Sequence, residues 1–142
     1  MTTVTAFALI FDKAGRLLLC RRKKDGLWNL PGGHLEPKEP PWEAVVREVR
    51  EEIALNVKVL RLLGIYFVGK DNELVLSYVC EPRSKTPRPN REIDAIDWFE
   101  LDRLPAQMRE HHDVRAKDAL IRESVVMRTQ PVAGNGGRKA GA

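Results

Sequence analysis

The sequence predicts an α/β (α+β) fold in which a mixed β-sheet lies between helices. Short apolar, β-branched runs alternate with two stretches of helical periodicity, giving the order β-β-α-β-β-β-α. The chain has 142 residues, of which 43% are hydrophobic and 31% charged. That length and composition suit one domain that buries a core without disulfides. We expect the domain to span residues 1–129 and residues 130–142, rich in Gly, Ala, Lys and Arg, to form a disordered tail.

The first half of the chain predicts two strands and one helix. Apolar runs at Thr3–Phe11 and Arg16–Cys20 flank a turn at Asp12–Gly15, so we expect a β-hairpin. Pro41–Ile53 has helical periodicity, and its apolar residues fall on one stripe. The stripe consists of Trp42, Val45, Val46, Val49 and Ile53.

The second half predicts three strands and a second helix. The strands are Val57–Val68, Glu73–Cys80 and Ile93–Phe99, and loops rich in Gly, Pro or charged residues separate them. The helix is expected over His111–Met127, with Val114, Ile121 and Val125 on one side and with His111 and His112 at the surface.

Composition excludes several functional classes. The net charge of +4 is too small to indicate a nucleic-acid-binding surface. No apolar run approaches the ~20 residues of a membrane helix, and the N-terminus lacks the pattern of a signal peptide, so we expect a cytoplasmic protein without membrane spans. Cys20 and Cys80 lie in apolar runs without metal-ligand spacing, and we interpret both as core residues.

Three carboxylates gather on the first helix. Glu48, Glu51 and Glu52 have the spacing i, i+3 and i+4, which makes side chains neighbours on a helical surface. Mg²⁺ and Mn²⁺ prefer oxygen ligands, so this group is a candidate metal site. The same run also suits an ordinary solvated helix whose charges are surface patterning.

The segment before this helix favours the metal site. Pro31-Gly32-Gly33 reads as a turn with little side-chain bulk, which lets backbone atoms approach a ligand closely. A carbonyl from this turn would complete a metal shell, and Glu36 and Glu39 add acceptors at the helix entrance. A plain turn remains the alternative for the two glycines.

The whole segment resembles the signature of the Nudix (MutT-like) hydrolase family. Gly33 is followed after five residues by Glu39, and after seven more by Arg47–Leu55, which reads REVREEIAL. Each fixed position of the signature matches except Ala54, where the family has Gly. The order of elements extends the resemblance over roughly residues 3–127.

The resemblance implies an α/β/α sandwich and metal-dependent hydrolysis of a nucleoside diphosphate linked to another group. By that resemblance Glu48, Glu51 and Glu52 would hold Mg²⁺, or alternatively Mn²⁺, with the Gly32 carbonyl as a further ligand. Arg47 would orient one of these glutamates and Glu39 would position the loop or helix. The expected activity is a Nudix pyrophosphohydrolase in which a metal-activated water attacks the phosphoric anhydride.

The sequence departs from the family at three positions. Members often have Gly where Lys38 stands and Ser or Thr where Pro40 stands, and Ala54 replaces a glycine at the helix exit. That exit often adopts a left-handed conformation, which would cost Ala on the order of 1 kcal/mol. None of the three changes removes an expected ligand.

Further candidates lie outside the motif. Glu92 precedes a strand in a region where several Nudix hydrolases place an additional metal ligand or general base; a solvated loop glutamate is the alternative. Arg21 and Arg22 are candidates for phosphate contacts, or else surface charges. His34 follows the glycines and is a weaker candidate for substrate contact. Trp28 is placed to stack on a base, although a core role is also open.

The expected partner is a small nucleotide-like substrate, and a homodimer is consistent with the family. A catalytically weak nucleotide sensor or protein-interaction module is the alternative, and the intact set of three glutamates argues against it. A prenyl-diphosphate isomerase shares the fold but is disfavoured by the short chain and the lack of a cysteine in a catalytic setting. The sequence does not indicate which group lies beyond the diphosphate.

Overall fold

The computed structural model of this chain describes residues 1–84, 86–121 and 124–131. Its helices are α1 (Pro41–Ile53) and α2 (His112–Lys117), with short 3₁₀ turns at Gly69–Asp71 and Asp118–Leu120. Its strands are β1 (Thr3–Ile10), β2 (Leu17–Arg22), β3 (Trp28–Asn29), β4 (Gly32–His34), β5 (Val57–Val68), β6 (Glu73–Pro82), β7 (Ile93–Phe99) and β8 (Val126–Gln130).

The described residues form two sheets. A five-stranded mixed sheet has the order β4-β1-β6-β5-β8, in which β1 runs parallel to β6 and β5 parallel to β8. A three-stranded antiparallel sheet has the order β3-β2-β7. The predicted bounds of α1, β5 and β7 are confirmed, as is the mixed sheet with helices on its faces.

β1 is buried on both faces, which explains its continuous apolar run. Ala6, Ala8 and Ile10 belong to the core cluster on the α1 side. Phe7 and Leu9 belong to the cluster on the α2 side. The first cluster includes Val45, Val49 and Ile53 of α1, and the second includes Ala116 of α2.

The prediction that Trp42 shares the buried stripe of α1 is wrong. Its exposed fraction is 55%, whereas Ala44 and Val45 are fully buried. The packed surface of α1 therefore begins after Trp42. The helical period identifies the direction of the stripe but not where the underlying core ends.

The predicted hairpin between the first two strands is also wrong. β1 pairs with β4 on one side and with β6 on the other, so neither of its edges is free for β2. β2 pairs with β3 and β7 in the second sheet, and only the bridge between Phe11 and Leu17 joins the ends of the two runs.

Pro31–Gly33, predicted to be a turn, leads into a strand. Gly32 and Gly33 pair with Phe7 and Ala6 of β1. A Cβ on Gly32 would lie 2.2 Å from the carbonyl oxygen of Ala6, so the close approach of β4 to β1 requires glycine here. Strands of two or three residues show no alternation, and for this reason β3 and β4 are not visible in the sequence.

The prediction of a helix to Met127 is wrong. α2 ends at Lys117, and β8 then pairs in parallel with β5. Val114, Ile121 and Val125, the predicted apolar side, are 39%, 41% and 42% exposed. Pairing with the open edge of β5 outweighs the local helical pattern.

Two further predictions concern the same region. His112, expected at the surface, is 1% exposed, and its Nδ1 accepts a hydrogen bond of 2.9 Å from the amide of Leu30. Gln130, the first residue of the predicted tail, ends β8 and is buried. Residues 132–142 of that tail lie outside the described residues.

Both cysteines are core residues, as predicted. Cys20 and Cys80 are buried and free, and burial raises the pKa of each thiol. In the part of the chain that the structure describes, no helix has the length and apolar character needed to cross a bilayer.

Candidate active site

Residues with positive φ angles flank α1 on both sides. No side chain caps its N-terminus, where Pro40 precedes Pro41 in the first turn, a position that proline favours. At its exit Ala54 adopts a left-handed conformation with φ 53°, and its amide donates to the carbonyl of Arg50 at 3.0 Å. Lys38, in the preceding loop, has φ 65°. Two of the three departures from the family pattern therefore occupy positions that favour glycine.

Arg47 connects the loop before α1 to the carboxylates on it. Its guanidinium donates to both carboxylate oxygens of Glu39, at 2.7 and 2.9 Å. It also donates to Glu48 at 3.1 Å, to Glu51 at 3.2 Å and to the carbonyl of His34 at 3.1 Å. The hydrogen bonds from Arg47 lower the pKa of Glu39 despite some desolvation. Arg47 therefore contacts two of the three glutamates, and its orienting role stays a prediction.

Glu52 lies against β4. Its Oε1 accepts a hydrogen bond of 2.7 Å from the amide of Gly32. Desolvation raises the pKa of Glu52 to about 8; the Gly32 hydrogen bond lowers it, and the charges of Glu48 and Glu92 raise it further. No ion pair within 4 Å reaches Glu52 from any described residue. This carboxylate is therefore poorly compensated by the protein.

Glu48 fills the space that the missing side chain of Gly33 leaves. A Cβ on Gly33 would lie 2.8 Å from both the carboxyl carbon and Oε1 of Glu48. Burial raises the pKa of Glu48, the ion pair with Arg47 lowers it, and Glu51 and Glu39 raise it. The two glycines thus allow two carboxylates of α1 to approach the backbone of β4.

The loop before β7 is tied to the end of α1. The amide of Asn90 donates to the carbonyl of Glu52 at 3.0 Å, and the amide of Arg88 donates to that of Ile53 at 2.7 Å. The side chain of Asn90 accepts from the amide of Glu92 at 2.9 Å. These bonds use carbonyls that every helix C-terminus leaves unpaired, and they bring Glu92 close enough to Glu52 to raise its pKa.

A cleft of about 540 Å³ opens at this end of α1. It lies where the β2–β3 hairpin meets the start of β7, because the amide of Lys23 donates to the carbonyl of Glu92 at 2.9 Å. Two carboxylates and four cations line it together with one apolar side chain: Glu52, Glu92, Arg22, Lys23, Lys24, Arg91 and Ile93.

The other predicted substrate contacts do not line this cleft. Arg21 donates to Asp94 at 2.7 Å and lies over the ring of Trp28. Trp28 packs edge-to-face on Phe99 with 5.0 Å between ring centroids, which matches the core alternative. His34 is exposed on β4, with its carbonyl held by Arg47.

The predicted metal ligands are close together but do not form a closed metal shell. Over residues 1–84, 86–121 and 124–131, no three His, Cys, Asp or Glu side chains converge closely enough to hold a metal ion. Arg47 holds Glu48 and Glu51, and the amide of Gly32, rather than its carbonyl, meets Glu52. The donor set nevertheless fits Mg²⁺, because it consists of carboxyl oxygens, which are hard ligands, and Glu52 has no cationic partner among the described residues. Arg47 donates to one oxygen of Glu48 and to one oxygen of Glu51, so the second oxygen of each carboxylate has no bond to Arg47.

Sequence reasoning missed four residues of this region as individual candidates. Lys23 and Lys24 belong to the basic cluster that includes Arg21 and Arg22. The sequence shows their charge but does not indicate that their side chains line the cleft. Arg91 adjoins Glu92 in the chain. Asn90 carries no signal in the sequence, because its role depends on contacts with the end of α1.

Comparisons with known proteins agree with this architecture. The NUDIX domain matches residues 1–121. The chain is 36% identical over 118 residues to a MutT-like protein of Streptomyces ambofaciens, covering 83% of this chain and 77% of that protein.

Solved structures give the same result. An ADP-ribose pyrophosphatase from Streptococcus suis superposes with a TM-score of 0.70 at 26% identity, covering 90% of this chain and 98% of that one. A MutT NUDIX hydrolase from Burkholderia pseudomallei superposes with a TM-score of 0.69 at 29% identity, covering 83% and 98% of the two chains. The chain therefore belongs to the NUDIX family and is a Nudix hydrolase, an enzyme that acts on acid anhydrides.

Proposed function

We propose that this hydrolase requires a divalent cation, Mg²⁺ or Mn²⁺, and cleaves the phosphoric anhydride bond of a small nucleoside di- or triphosphate derivative. The proposal assigns Glu48, Glu51 and Glu52 to the metal, with the carbonyl of Gly32 as a candidate further ligand. We also propose that the enzyme works in the cytoplasm, with a homodimer as its candidate assembly.

The observation that carries the proposal is that the carboxyl group of Glu52 has no cationic partner among the described residues. Its carboxylate is half-buried, has no ion pair among the described residues, and adjoins two further glutamates. It also lies on the wall of a cleft whose remaining charged side chains are mostly cationic. A metal cation would supply the partner that Glu52 lacks, and phosphates would pair with the cationic side chains of the cleft.

The chain's own residues would divide the work of the reaction. Water attacks phosphorus, one P–O bond of the anhydride breaks, and the water loses a proton. Glu92 is the candidate to accept that proton, because it lies in the cleft beside Glu52. Arg22, Lys23 and Lys24 would bind and orient the phosphates. When bound, the metal supplies charge neutralisation at the phosphoryl oxygens and a more acidic water.

A hydrolysis panel tests this proposal. Nucleoside triphosphates, ADP-ribose, nucleotide sugars and dinucleoside polyphosphates are incubated with Mg²⁺, with Mn²⁺ and with a chelator, and the products identify the broken bond. We expect turnover of at least one class with metal and none with chelator. Glu52→Gln should lower kcat at least about a hundredfold, a loss typical of a removed electrostatic group.

Glu43→Gln is the matched control. Glu43 is exposed in the first turn of the same helix, and the variant removes one carboxylate without touching the site. Turnover that persists with chelator, or equal activity of the two variants, would contradict the proposal. Tight nucleotide binding without turnover across the panel would support the sensor instead.

A further inference from the structure

We infer that the preferred substrate carries a chain of three or more phosphates and is selected by those phosphates rather than by its base. This inference rests on the proposed function, because it concerns the cleft beside Glu52. It excludes as preferred substrates the compounds in which two phosphates join two uncharged groups, such as ADP-ribose and nucleotide sugars.

The first observation is an excess of unpaired cations in the cleft. Lys23, Lys24 and Arg91 are exposed there, and no carboxylate lies within 4 Å of any of them in the described part of the chain. Arg22, the fourth cation, already pairs with Asp25. A metal ion at the carboxylates would leave the three unpaired cations to act on the substrate. They offer more positive charge than a doubly substituted diphosphate requires.

The second observation is the absence of a base-binding surface in the cleft. Among the seven described residues that line it, six are charged and one is the aliphatic Ile93, so none is aromatic. Trp28, the best-placed aromatic residue in the sequence, packs on Phe99 instead. Stacking on aromatic rings is a common means of holding a base, and this cleft does not provide it.

The position of Lys23 and Lys24 allows their side chains to contact phosphates beyond the reacting bond. Lys23 and Lys24 lie in the hairpin between β2 and β3, which is closed by hydrogen bonds between Arg22 and both Gly26 and Leu27. Both side chains are exposed at this turn, so they can follow a phosphate chain that extends from the reacting bond. A terminal phosphate carries more than one negative charge near neutral pH, and these contacts would favour it.

A paired assay tests the inference. Steady-state kcat and KM are measured for the four common nucleoside triphosphates and for ADP-ribose, with the enzyme and with the double variant Lys23→Gln/Lys24→Gln. We expect kcat/KM to vary less than about threefold among the bases and to favour triphosphates over ADP-ribose. The double variant should raise KM for triphosphates about tenfold, and should change KM for ADP-ribose less than about twofold.

Lys13→Gln is the matched charge control. Lys13 lies in the turn before β2, at the opposite end of that strand from the cleft, so it should leave KM unchanged. Preference for ADP-ribose, strong discrimination among bases, or equal KM changes in the two lysine variants would overturn the inference while leaving the hydrolase proposal intact.

A binding measurement separates this inference from hydrolysis itself. Inorganic tripolyphosphate is titrated calorimetrically, without metal, into Glu52→Gln and into the same variant that also carries the two lysine substitutions. We expect the two added substitutions to weaken binding about tenfold and added salt to narrow the difference. Equal affinities would overturn the inference even if none of the panel compounds were hydrolysed.

Discussion

Ala54 and Lys38 both hold positive φ angles without being glycine. Ala54 has φ 53° at the exit of α1, and Lys38 has φ 65° in the loop before it. The left-handed conformation brings Cβ close to the following carbonyl oxygen, which costs a non-glycine residue on the order of 1–2 kcal/mol. The protein tolerates this strain at both ends of the segment that carries its carboxylates.

Ala54→Gly should stabilise the fold and leave turnover nearly intact. Removing Cβ relieves the strain, and the greater freedom of glycine in the unfolded chain offsets part of the gain. We therefore expect urea unfolding to show an increase of up to about 1 kcal/mol in the free energy of unfolding. Ala54→Val should destabilise, because a β-branched side chain is disfavoured in this conformation. A many-fold change in kcat for Ala54→Gly would show that the exit of α1 shapes the site.

Gly33→Ala should reduce activity far more than stability. The new Cβ would lie 2.8 Å from the carboxyl carbon of Glu48, so that carboxylate must move away from its present position. The backbone of Gly33 is not among those with positive φ, and alanine is compatible with it. We expect kcat to fall at least about tenfold while Tm changes by only a few degrees.

Gly32→Ala is the comparison for that experiment. Its Cβ would meet the backbone of Ala6 and Phe7, which cannot move as a flexible carboxylate can. This variant should therefore have a lower Tm than the wild-type protein, or fail to fold. Unchanged kcat in Gly33→Ala would contradict the view that Glu48 uses the space above that glycine.

At the scale of elements, the loop before β7 and the end of α1 form one unit. Asn90 joins them through the carbonyl of Glu52 and the amide of Glu92. Asn90→Ala should lower kcat about tenfold with little change in KM, because Glu92 would lose its support next to Glu52. Asn90→Asp keeps the acceptor for the amide of Glu92 and should recover part of the loss.

The variant Glu92→Gln tests whether Asn90 affects kcat through Glu92. If Asn90 acts through Glu92, the combined variant should be no less active than Glu92→Gln alone. Additive losses in kcat would contradict this dependence and would indicate that Asn90 supports the site by another route.

α2 is attached to the core through a buried histidine, which makes stability depend on pH. Burial, and then the charges of Arg115, Arg109 and Arg22, lower the pKa of His112 well below its usual value. As pH falls, His112 therefore takes up a proton in the unfolded chain before it does so in the folded chain. The contribution of neutral His112 to the free energy of unfolding is complete above about pH 6.5 and is lost below it.

Urea unfolding between about pH 5 and pH 8 measures how the free energy of unfolding changes with pH. His112→Asn, which cannot titrate, should flatten the curve below about pH 6.5 even if it lowers stability throughout. His111→Asn should flatten it less, because burial lowers the pKa of that histidine to a smaller extent. An unchanged slope in His112→Asn would contradict the assignment.

The limits of sequence reasoning are visible in particular elements. α1 could be placed because thirteen residues give a clear period and a proline at its start. β3, β4 and β8 could not, because the first two are too short to show a period and β8 forms by pairing with β5. The carboxylates of the site follow from spacing along α1, whereas Asn90 and the two lysines depend on which loops meet in space.

At the scale of the whole molecule, the two sheets and α1 together place the site. β4 brings two glycines to the carboxylates of α1, and the smaller sheet brings cations to the cleft beside them. Neither half would bind a phosphate–metal group alone, since one is anionic and the other cationic. This complementarity supports the proposal that the anhydride is hydrolysed at this end of α1.

The most direct test is Mn²⁺ binding followed by electron paramagnetic resonance. The free-ion signal is titrated with wild-type protein, Glu52→Gln and Glu43→Gln, in the presence of a nonhydrolysable nucleotide analogue. We predict that Glu52→Gln weakens Mn²⁺ binding at least about tenfold, a loss expected on removing a charged ligand, and that Glu43→Gln matches the wild type. Equal Mn²⁺ affinity in all three proteins would contradict a metal site at the carboxylates of α1.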